Sequence, residues 1–245
     1  MPAVRDLSAL YGNFLLGPRA GPGVCSGCFN LTDGFDRCYA CAQHGSVLDA
    51  VAPISYSVAH EQLHHALASY KRLTGNVARR LGVELAAVLW HYLEAHEQCV
   101  ARAAGIESFP LVATVPSSDT DRDQEHPLRW LVGELVGPTR RRHERLLRRS
   151  PVAVDARAFN PEKYAAARPL DGEPVLLIDD TWTTGANAQS AAATLKAAGA
   201  GALAAVVIGR HVNREWHDND RRLRALSQPF DWSRCALCTP PAASR

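Results

Sequence analysis

Apolar residues along the chain follow two patterns, which predict two kinds of element. Short apolar and β-branched runs predict strands. These runs lie at residues 47–58, 111–115, 152–154, 175–178 and 203–208. Between them, apolar residues recur every three or four positions, and this spacing predicts amphipathic helices. Strands that alternate with helices indicate an α/β fold, in which helices flank a mostly parallel sheet on both faces.

The helices can be placed by their apolar faces. The first predicted helix has one apolar face, formed by Leu63, Ala66, Leu67 and Tyr70. A longer helix follows Asn76, a predicted N-cap, and its apolar face begins at Val77 and ends at Leu93. Pro127 is predicted to open a third helix. The run at 111–115 is predicted to be a short central strand.

Residues 175–187 read Val-Leu-Leu-Ile-Asp-Asp-Thr-Trp-Thr-Thr-Gly-Ala-Asn. The four apolar residues predict a buried strand with Asp179 and Asp180 at its exit. A small hydroxyl-rich turn follows, and then an alanine-rich helix that runs to Gly199. Backbone N–H groups of the turn and the helix start point outward with the positive end of the helix dipole. This arrangement can hold a phosphate monoester without Lys or Arg.

The turn offers further groups to a sugar phosphate. Its predicted binding residues are Thr181, Thr183, Thr184, Gly185, Ala186 and Asn187. Side-chain donors can bind phosphate, and a glycine lets the backbone approach closely. Asp179 and Asp180 are placed to accept hydrogen bonds from both hydroxyls of a ribose whose 5′-phosphate lies in the turn. In the alternative interpretation, Thr183 or Asn187 only caps the helix and the two aspartates face water.

This stretch resembles the signature of the type I phosphoribosyltransferases. The resemblance implies that the two acids hold the 2′- and 3′-hydroxyls of phosphoribosyl pyrophosphate (PRPP), that the loop holds its 5′-phosphate, and that Mg²⁺ accompanies the pyrophosphate. Asp179 and Asp180 are therefore the candidate catalytic residues. The sequence departs from the family at Asn187, where Thr or Ser is usual.

Cysteines form the second strong pattern. Cys25-Ser-Gly-Cys28 and Cys38-Tyr-Ala-Cys41 are two C-x-x-C pairs separated by a short segment. Four thiolates in two such pairs predict a tetrahedral structural zinc site.

The roles of the other three cysteines have several possible interpretations. Cys235 and Cys238 form a third C-x-x-C pair, which completes a site with Cys25 and Cys28, forms a second incomplete site, or is redox-active. Cys99 lies in a helical pattern and is predicted to be a small buried apolar residue.

A zinc ribbon ahead of a phosphoribosyltransferase-like domain resembles the ComF family of competence-associated bacterial proteins. The shared features are the cysteine pairs, a helix bearing Tyr70-Lys71, the segment Val115-Pro-Ser-Ser118, the paired-acid loop and a late strand ending in Gly209-Arg210. Residues 119–128 depart from the family pattern. The resemblance implies a zinc-ribbon segment at 1–46, an α/β domain at 47–230 and a tail with a cysteine pair at 231–245.

Position in the fold gives further candidates. In phosphoribosyltransferases the loop after an earlier strand receives the pyrophosphate, which assigns Ser117 and Ser118 to substrate binding, with Arg122 as the nearest cation. A plain polar turn is the alternative. Other candidates lie before the signature strand or at the end of the last one: Arg157, Asn160, Lys163, Arg210 and His211.

Charge and hydropathy limit the classes of partner. The formal net charge of the 245 residues is +2, which argues against attraction of nucleic acid over the whole surface. A basic run at 139–150 can contact nucleic-acid phosphates, although it lacks interleaved aromatic residues. No apolar run reaches the roughly 18 residues of a membrane span. The N-terminus does not read as a signal peptide, so we expect a cytoplasmic protein.

These observations predict a PRPP-binding protein that transfers the phosphoribosyl group to a nitrogen acceptor and releases pyrophosphate. The alternative is a non-catalytic module that senses PRPP or a nucleotide, or assists DNA uptake. A purely structural zinc protein leaves the paired acids unexplained. The acceptor and the oligomeric state are not predicted.

Overall fold

The computed structural model describes residues 3–117, 126–155, 157–226 and 229–238, and six strands lie within them. The strands are β1 (Ala50–Val58), β2 (Leu111–Thr114), β3 (Leu147–Arg149), β4 (Tyr164–Ala166), β5 (Val175–Trp182) and β6 (Leu203–Val212). Four of them form a sheet of order β1-β6-β5-β2 in which all neighbours are parallel. The short strands β3 and β4 form an antiparallel pair.

Helices cover both faces of the larger sheet. They are α1 (Val4–Ala9), α2 (Tyr39–His44), α3 (Gln62–Arg72), α4 (Gly75–Ala103), α5 (Pro127–Trp130), α6 (Gly137–Arg140), α7 (Ala186–Ala197) and α8 (Asn219–Arg224). A π-helical turn, Leu131–Leu135, continues α5, and a 3₁₀ turn, Pro161–Lys163, precedes β4. The α/β fold with a parallel sheet flanked by helices is therefore confirmed.

The strands β5 and β6 direct alternate side chains to opposite faces of the sheet, so two cores form. Leu176 and Ile178 belong to the first core, which is completed by α3, α4 and α5. Leu177 and Val207 belong to the second core, which is completed by α7, the β3-β4 pair and the N-terminal cysteines. Among the described residues, none of the helices combines the length and hydropathy that a transmembrane helix requires.

The prediction of β2 as a central strand is wrong. It lies at one edge of the sheet and pairs with β5 alone among the strands. Its outer side is partly covered, because the Val112 N–H donates to the carbonyl of Arg142 and the Glu144 N–H donates to the carbonyl of Val112, both at 2.9 Å. Strand order depends on pairing between distant segments, which local hydropathy does not encode.

Two further local predictions are corrected. Residues 152–154 form no strand, and Val152 is exposed. The nearby strands β3 and β4 pair instead, and they are too short for periodicity to reveal. The long helix begins at Gly75, after Thr74 at the N-cap position, so Asn76 is not its cap and Val77 is exposed.

Candidate functional site

A cavity of about 840 Å³ opens at the carboxyl ends of β2 and β5. Ligands of parallel sheets bind at this edge, and the volume suits a nucleotide-sized molecule. Five of the predicted site residues line the cavity: Ser117, Asp179, Asp180, Thr181 and Asn187. Ser118 and Arg122 lie outside the described residues. The remaining walls come from the end of α3, the first turns of α4, and α5.

The strand β5 does not end before the acids, as the sequence predicts, but continues to Trp182. Asp179 pairs with Val207 of β6 and Thr181 pairs with Gly209. The ladder therefore fixes the backbone that carries the acids. Successive residues of a strand point to opposite sides, which gives the two carboxylates different environments.

Asp180 is buried at 2% exposure, and both of its oxygens have partners. Oδ2 accepts a hydrogen bond from the Tyr70 hydroxyl, and Oδ1 accepts one from the Lys71 ammonium at 2.6 Å. Burial alone would raise the pKa of Asp180, but the charge and hydrogen bonds of Lys71, aided by Tyr70, hold it below its usual value. Asp180 thus ties β5 to α3, and its lowered pKa favours the ionised carboxylate.

Asp179 is half-buried at the cavity wall. Its Oδ1 accepts a hydrogen bond from the Asp180 N–H at 2.9 Å. Burial, and next the negative charge of Asp180, raises the pKa of Asp179 to about 7, while Lys71 acts in the opposite direction. Asp179 is therefore the member of the pair that is free to accept hydrogen bonds from a ligand.

The raised pKa of Asp179 predicts a pH-dependent stability. In the folded protein Asp179 binds a proton below about pH 7, whereas in the unfolded chain it binds one only below about pH 4. The native protein therefore loses stability as the pH rises through this window. We expect the melting temperature of Asp179→Asn, relative to native, to increase steadily between about pH 5 and about pH 8.

Thermal melts across this pH range provide the measurement. Asp171→Asn is the control, because this carboxylate is exposed to solvent. A constant difference between Asp179→Asn and native protein at every pH would contradict the assignment.

The bend after β5 presents unused backbone donors. Within the described residues, the N–H groups of Thr183, Thr184 and Gly185 have no hydrogen-bond partner. They precede α7, whose first N–H, that of Ala186, donates to Thr184 Oγ1 at 3.3 Å. Three free amides at the positive end of a helix favour an anion. Thr183 to Ala186 do not line the cavity themselves, but Thr181 and Asn187 on either side do.

The indole of Trp182 supports this bend from below. Trp182 is buried at 1% exposure in the second core and does not line the cavity. A Cβ atom on Gly185 would overlap its ring, and the φ angle of Gly185 is +83°. The indole thus packs against the bend at Gly185.

Gly185→Ala is expected to destabilise the bend strongly. A left-handed conformation costs alanine about 1–2 kcal/mol, and overlap with the indole adds about 1–3 kcal/mol. We expect urea unfolding to show a loss of about 2–5 kcal/mol in the free energy of unfolding. Gly172→Ala is the matched control, because Gly172 has a φ angle of +76° but open space at the Cβ position. Equal losses in the two variants would contradict the packing of Trp182 under the bend.

Asn187 is oriented by a buried lysine. The Lys163 ammonium donates to Asn187 Oδ1 at 3.0 Å and to the carbonyl of Ala158 at 2.9 Å. Because Oδ1 is occupied, the Nδ2 group of Asn187 is left as a donor for a ligand in the cavity. Lys163 is fully buried, so it is not the exposed loop cation that its sequence position indicates. Burial, and next the charge of Arg149, lowers the pKa of Lys163.

Several lining residues were not predicted from the sequence. Arg79 projects from the first turns of α4, with its guanidinium 5.9 Å from the ring centre of Trp130. His126 lies beside them at the start of α5, and Lys71 at the end of α3. These residues add cationic and aromatic groups to the lining of the cavity. Arg79 and His126 belong to no motif in the sequence, whereas Lys71 is part of the Tyr70-Lys71 pair noted there without a role in the cavity.

The four N-terminal cysteines form a compact buried cluster that can hold a metal such as zinc. Their sulfur atoms lie within 4.8 Å of one another, and those of Cys28 and Cys38 are 3.6 Å apart. Zinc–sulfur bonds of about 2.3 Å in a tetrahedron give sulfur–sulfur distances of about 3.8 Å. Cys25 and Cys28 flank a turn closed by a bridge between Val24 and Leu31. The second pair lies at the start of α2.

Arg210 connects this cluster to the bend. It is buried at 3% exposure, and its Nη2 donates to Cys28 Sγ at 3.6 Å. Its Nη1 donates to the carbonyls of His211 at 2.6 Å and Trp182 at 3.2 Å. Arg210 lies near the end of the last strand, as predicted, but it faces the cysteines and does not line the cavity.

Comparisons with known proteins do not assign the chain to a family. No protein-family model matches the sequence, and no curated protein matches it at a significant level.

Proposed function

We propose that the chain binds PRPP with Mg²⁺ in this cavity and transfers its phosphoribosyl group to a nitrogen acceptor. One observation carries the proposal: the carboxylate of Asp179 on β5 lines the cavity, and the bend that follows this strand carries the free amides of Thr183, Thr184 and Gly185. The α/β domain is, in this proposal, a type I phosphoribosyltransferase-like fold of the ComF kind.

The 5′-phosphate occupies the outer side of the bend. The three backbone N–H groups and the N-terminal end of α7 neutralise it, and Asn187 Nδ2 supplies a side-chain donor. Thr181 and Asn187 adjoin both the bend and the cavity, so the ribose extends from one into the other.

The ribose hydroxyls bind to Asp179. A carboxylate accepts two hydrogen bonds from vicinal hydroxyls, and charged acceptors bind more strongly than neutral ones. Asp180 is a positioning residue, since Tyr70 and Lys71 occupy its oxygens. Its negative charge also favours a positive centre that develops on the sugar.

The pyrophosphate lies toward Ser117 and the cationic side chains of Arg79 and Lys71. Mg²⁺, when bound together with the ligand, would supply positive charge that favours departure of the leaving group. In the transfer, the bond between C1 and the pyrophosphate oxygen breaks and a bond from C1 to the acceptor nitrogen forms. The proton lost by the nitrogen passes to solvent. The task of this chain is electrostatic: it holds the phosphate, fixes the hydroxyls and places the departing charge beside cations.

We also propose that the ion in the N-terminal cluster is zinc and that its role is structural. Four buried thiolates leave no open coordination position for a substrate. Through Arg210, the cluster supports the backbone of Trp182 at the base of the bend.

PRPP binding without transfer is the second candidate function. It is favoured by the occupied oxygens of Asp180, which leave one carboxylate of the pair for the ribose. Pyrophosphate release, measured with PRPP, Mg²⁺ and a panel of purine, pyrimidine and amine acceptors, separates the two functions. Transfer predicts release that depends on one class of acceptor. Saturable PRPP binding with no release across the panel supports sensing, and the absence of both binding and release contradicts the proposed function.

A further inference from the structure

We infer that the chain holds a second structural metal ion, most suitably zinc, between α4 and the C-terminal segment. Its ligands are His96, Cys99, Cys235 and Cys238, whose ligand atoms all lie within 4.8 Å of one another. This cluster is separate from the N-terminal one and from the PRPP cavity. Cys99 is only partly buried and its sulfur contacts that of Cys238, so the prediction that it is a small buried apolar residue is wrong.

Two elements bring the four side chains together. His96 and Cys99 are one turn apart on α4 and therefore share a face of the helix. Cys235 and Cys238 form a tight turn in which the Cys238 N–H donates to the carbonyl of Cys235 at 3.2 Å. The C-terminal pair thus completes a site with α4, and not with Cys25 and Cys28.

The distances match a tetrahedral site. The sulfur of Cys238 lies 3.4 Å from that of Cys235 and 3.8 Å from that of Cys99. The Nδ1 atom of His96 lies 3.7 Å from Cys238 Sγ and 3.9 Å from Cys99 Sγ. Zinc bonds of about 2.3 Å to sulfur and about 2.0 Å to nitrogen place ligand atoms about 3.5–3.8 Å apart.

The tautomer of His96 is fixed for coordination. Its Nε2 atom lies 3.0 Å from the carbonyl oxygen of Trp232, to which an Nε2–H group donates. A hydrogen on Nε2 leaves the lone pair of Nδ1 facing the three sulfur atoms. A backbone acceptor on the far nitrogen is the usual support of a histidine that binds zinc. His96 is buried at 3% exposure, so water does not supply this partner.

The surroundings keep the C-terminal segment in place for binding. The Phe230 N–H donates to the carbonyl of Gly12 at 2.7 Å, and the Trp232 ring stacks on His91 with 4.1 Å between ring centres. The buried Tyr92 lies beside Cys235 and packs against the His96 ring, with 5.1 Å between ring centres. A disulfide between two of the cysteines would leave the orientation of His96 unexplained.

The site is closed, because four protein ligands fill a tetrahedral shell. We assign it a structural role. The metal ion fastens the C-terminal segment to α4, and its binding free energy offsets the conformational entropy lost when these two distant segments are brought together. It lies on α4 well beyond Arg79 and Gly82, which line the cavity, and therefore takes no part in phosphoribosyl chemistry.

Zinc content of the purified full-length protein tests the inference. We expect two zinc ions per chain in native protein, and one in His96→Ala and in Cys99→Ser. His91→Ala is the matched control, because His91 contacts the same Trp232 but is not a ligand, and it should keep both ions. His96→Cys should restore the second ion, which separates loss of a ligand from misfolding.

X-ray absorption of the native protein gives a readout that needs no variant. Two sites predict seven sulfur ligands and one nitrogen ligand for two zinc ions. One zinc per chain with sulfur ligands alone would overturn the inference. So would a Cys235–Cys238 disulfide in peptides mapped without reduction, or two zinc ions that survive in both His96→Ala and Cys99→Ser. None of these results depends on PRPP binding.

Discussion

Cys38→Ser is expected to release the ion of the N-terminal cluster and to destabilise the whole chain. Cys38 is buried, and its sulfur lies 3.6 Å from that of Cys28. Without Cys38 the cluster is expected to lose its metal ion. The three remaining buried thiols and the guanidinium of Arg210 then lack the ion that holds them together. Disruption of a buried charged network costs about 3–5 kcal/mol. For a chain of this size we expect the melting temperature to fall by about 10 °C.

Cys38→Ser is also expected to weaken ligand binding in the cavity. Arg210 donates both to Cys28 and to the carbonyl of Trp182, so displacement of the cysteine loop also loosens the base of the bend. We expect Cys38→Ser to bind PRPP more weakly than native protein, although Cys38 is not a cavity residue.

Calorimetric melting together with zinc analysis provides the measurement. Ser26→Ala is the matched control, since Ser26 lies in the same loop and its exposed hydroxyl contacts Asp36 only. The control should keep its zinc and melt with native protein. A Cys38→Ser protein with native zinc content, or with an unchanged melting temperature, would show that the cluster is not a structural metal site.

Asp179→Asn is expected to reduce PRPP affinity by about 10²–10⁴-fold. Two hydrogen bonds from ribose hydroxyls to a charged acceptor contribute about 1.5–3 kcal/mol each. Asparagine keeps the size of the side chain but replaces a carboxylate oxygen with a donor group, which opposes one hydroxyl directly. Titration calorimetry with PRPP and Mg²⁺ at about pH 8, where Asp179 is ionised, measures the loss.

Two controls define the cause of that loss. Asp171→Asn removes an exposed carboxylate and should bind as native protein does. Asp179→Asn should retain its affinity for inorganic pyrophosphate, because that ligand has no ribose hydroxyls. Equal losses for PRPP and pyrophosphate would show that Asp179 acts through general charge or folding and not through the sugar.

Local sequence patterns predicted the elements that build the site more readily than their arrangement. The apolar run at 175–178 and the face of α3 are both set by neighbouring residues, and both lie where the patterns indicate. The edge position of β2 was missed because strand order depends on contacts between distant segments. The continuation of β5 through Asp179 and Asp180 was missed because pairing with β6 outweighs the low strand preference of aspartate.

Side-chain partners were the least predictable part of the site. The hydrogen bonds of Asp180 with Tyr70 and Lys71 join residues more than a hundred positions apart. The sequence therefore does not indicate that these bonds give Asp179 and Asp180 different roles. The sequence places Lys163 among ordinary surface cations, because a buried amine is recognised only by its partners. The cysteines near the C-terminus could not be matched with His96, since spacing identifies pairs within one segment and not between two.

A crystal structure of native protein with ribose 5-phosphate tests the central proposal most directly. We predict the phosphate oxygens within hydrogen-bond distance of the N–H groups of Thr183, Thr184 and Gly185, and the 2′- and 3′-hydroxyls on the carboxylate of Asp179. Density for the sugar phosphate elsewhere on the protein, or an empty cavity at saturating ligand, would contradict it.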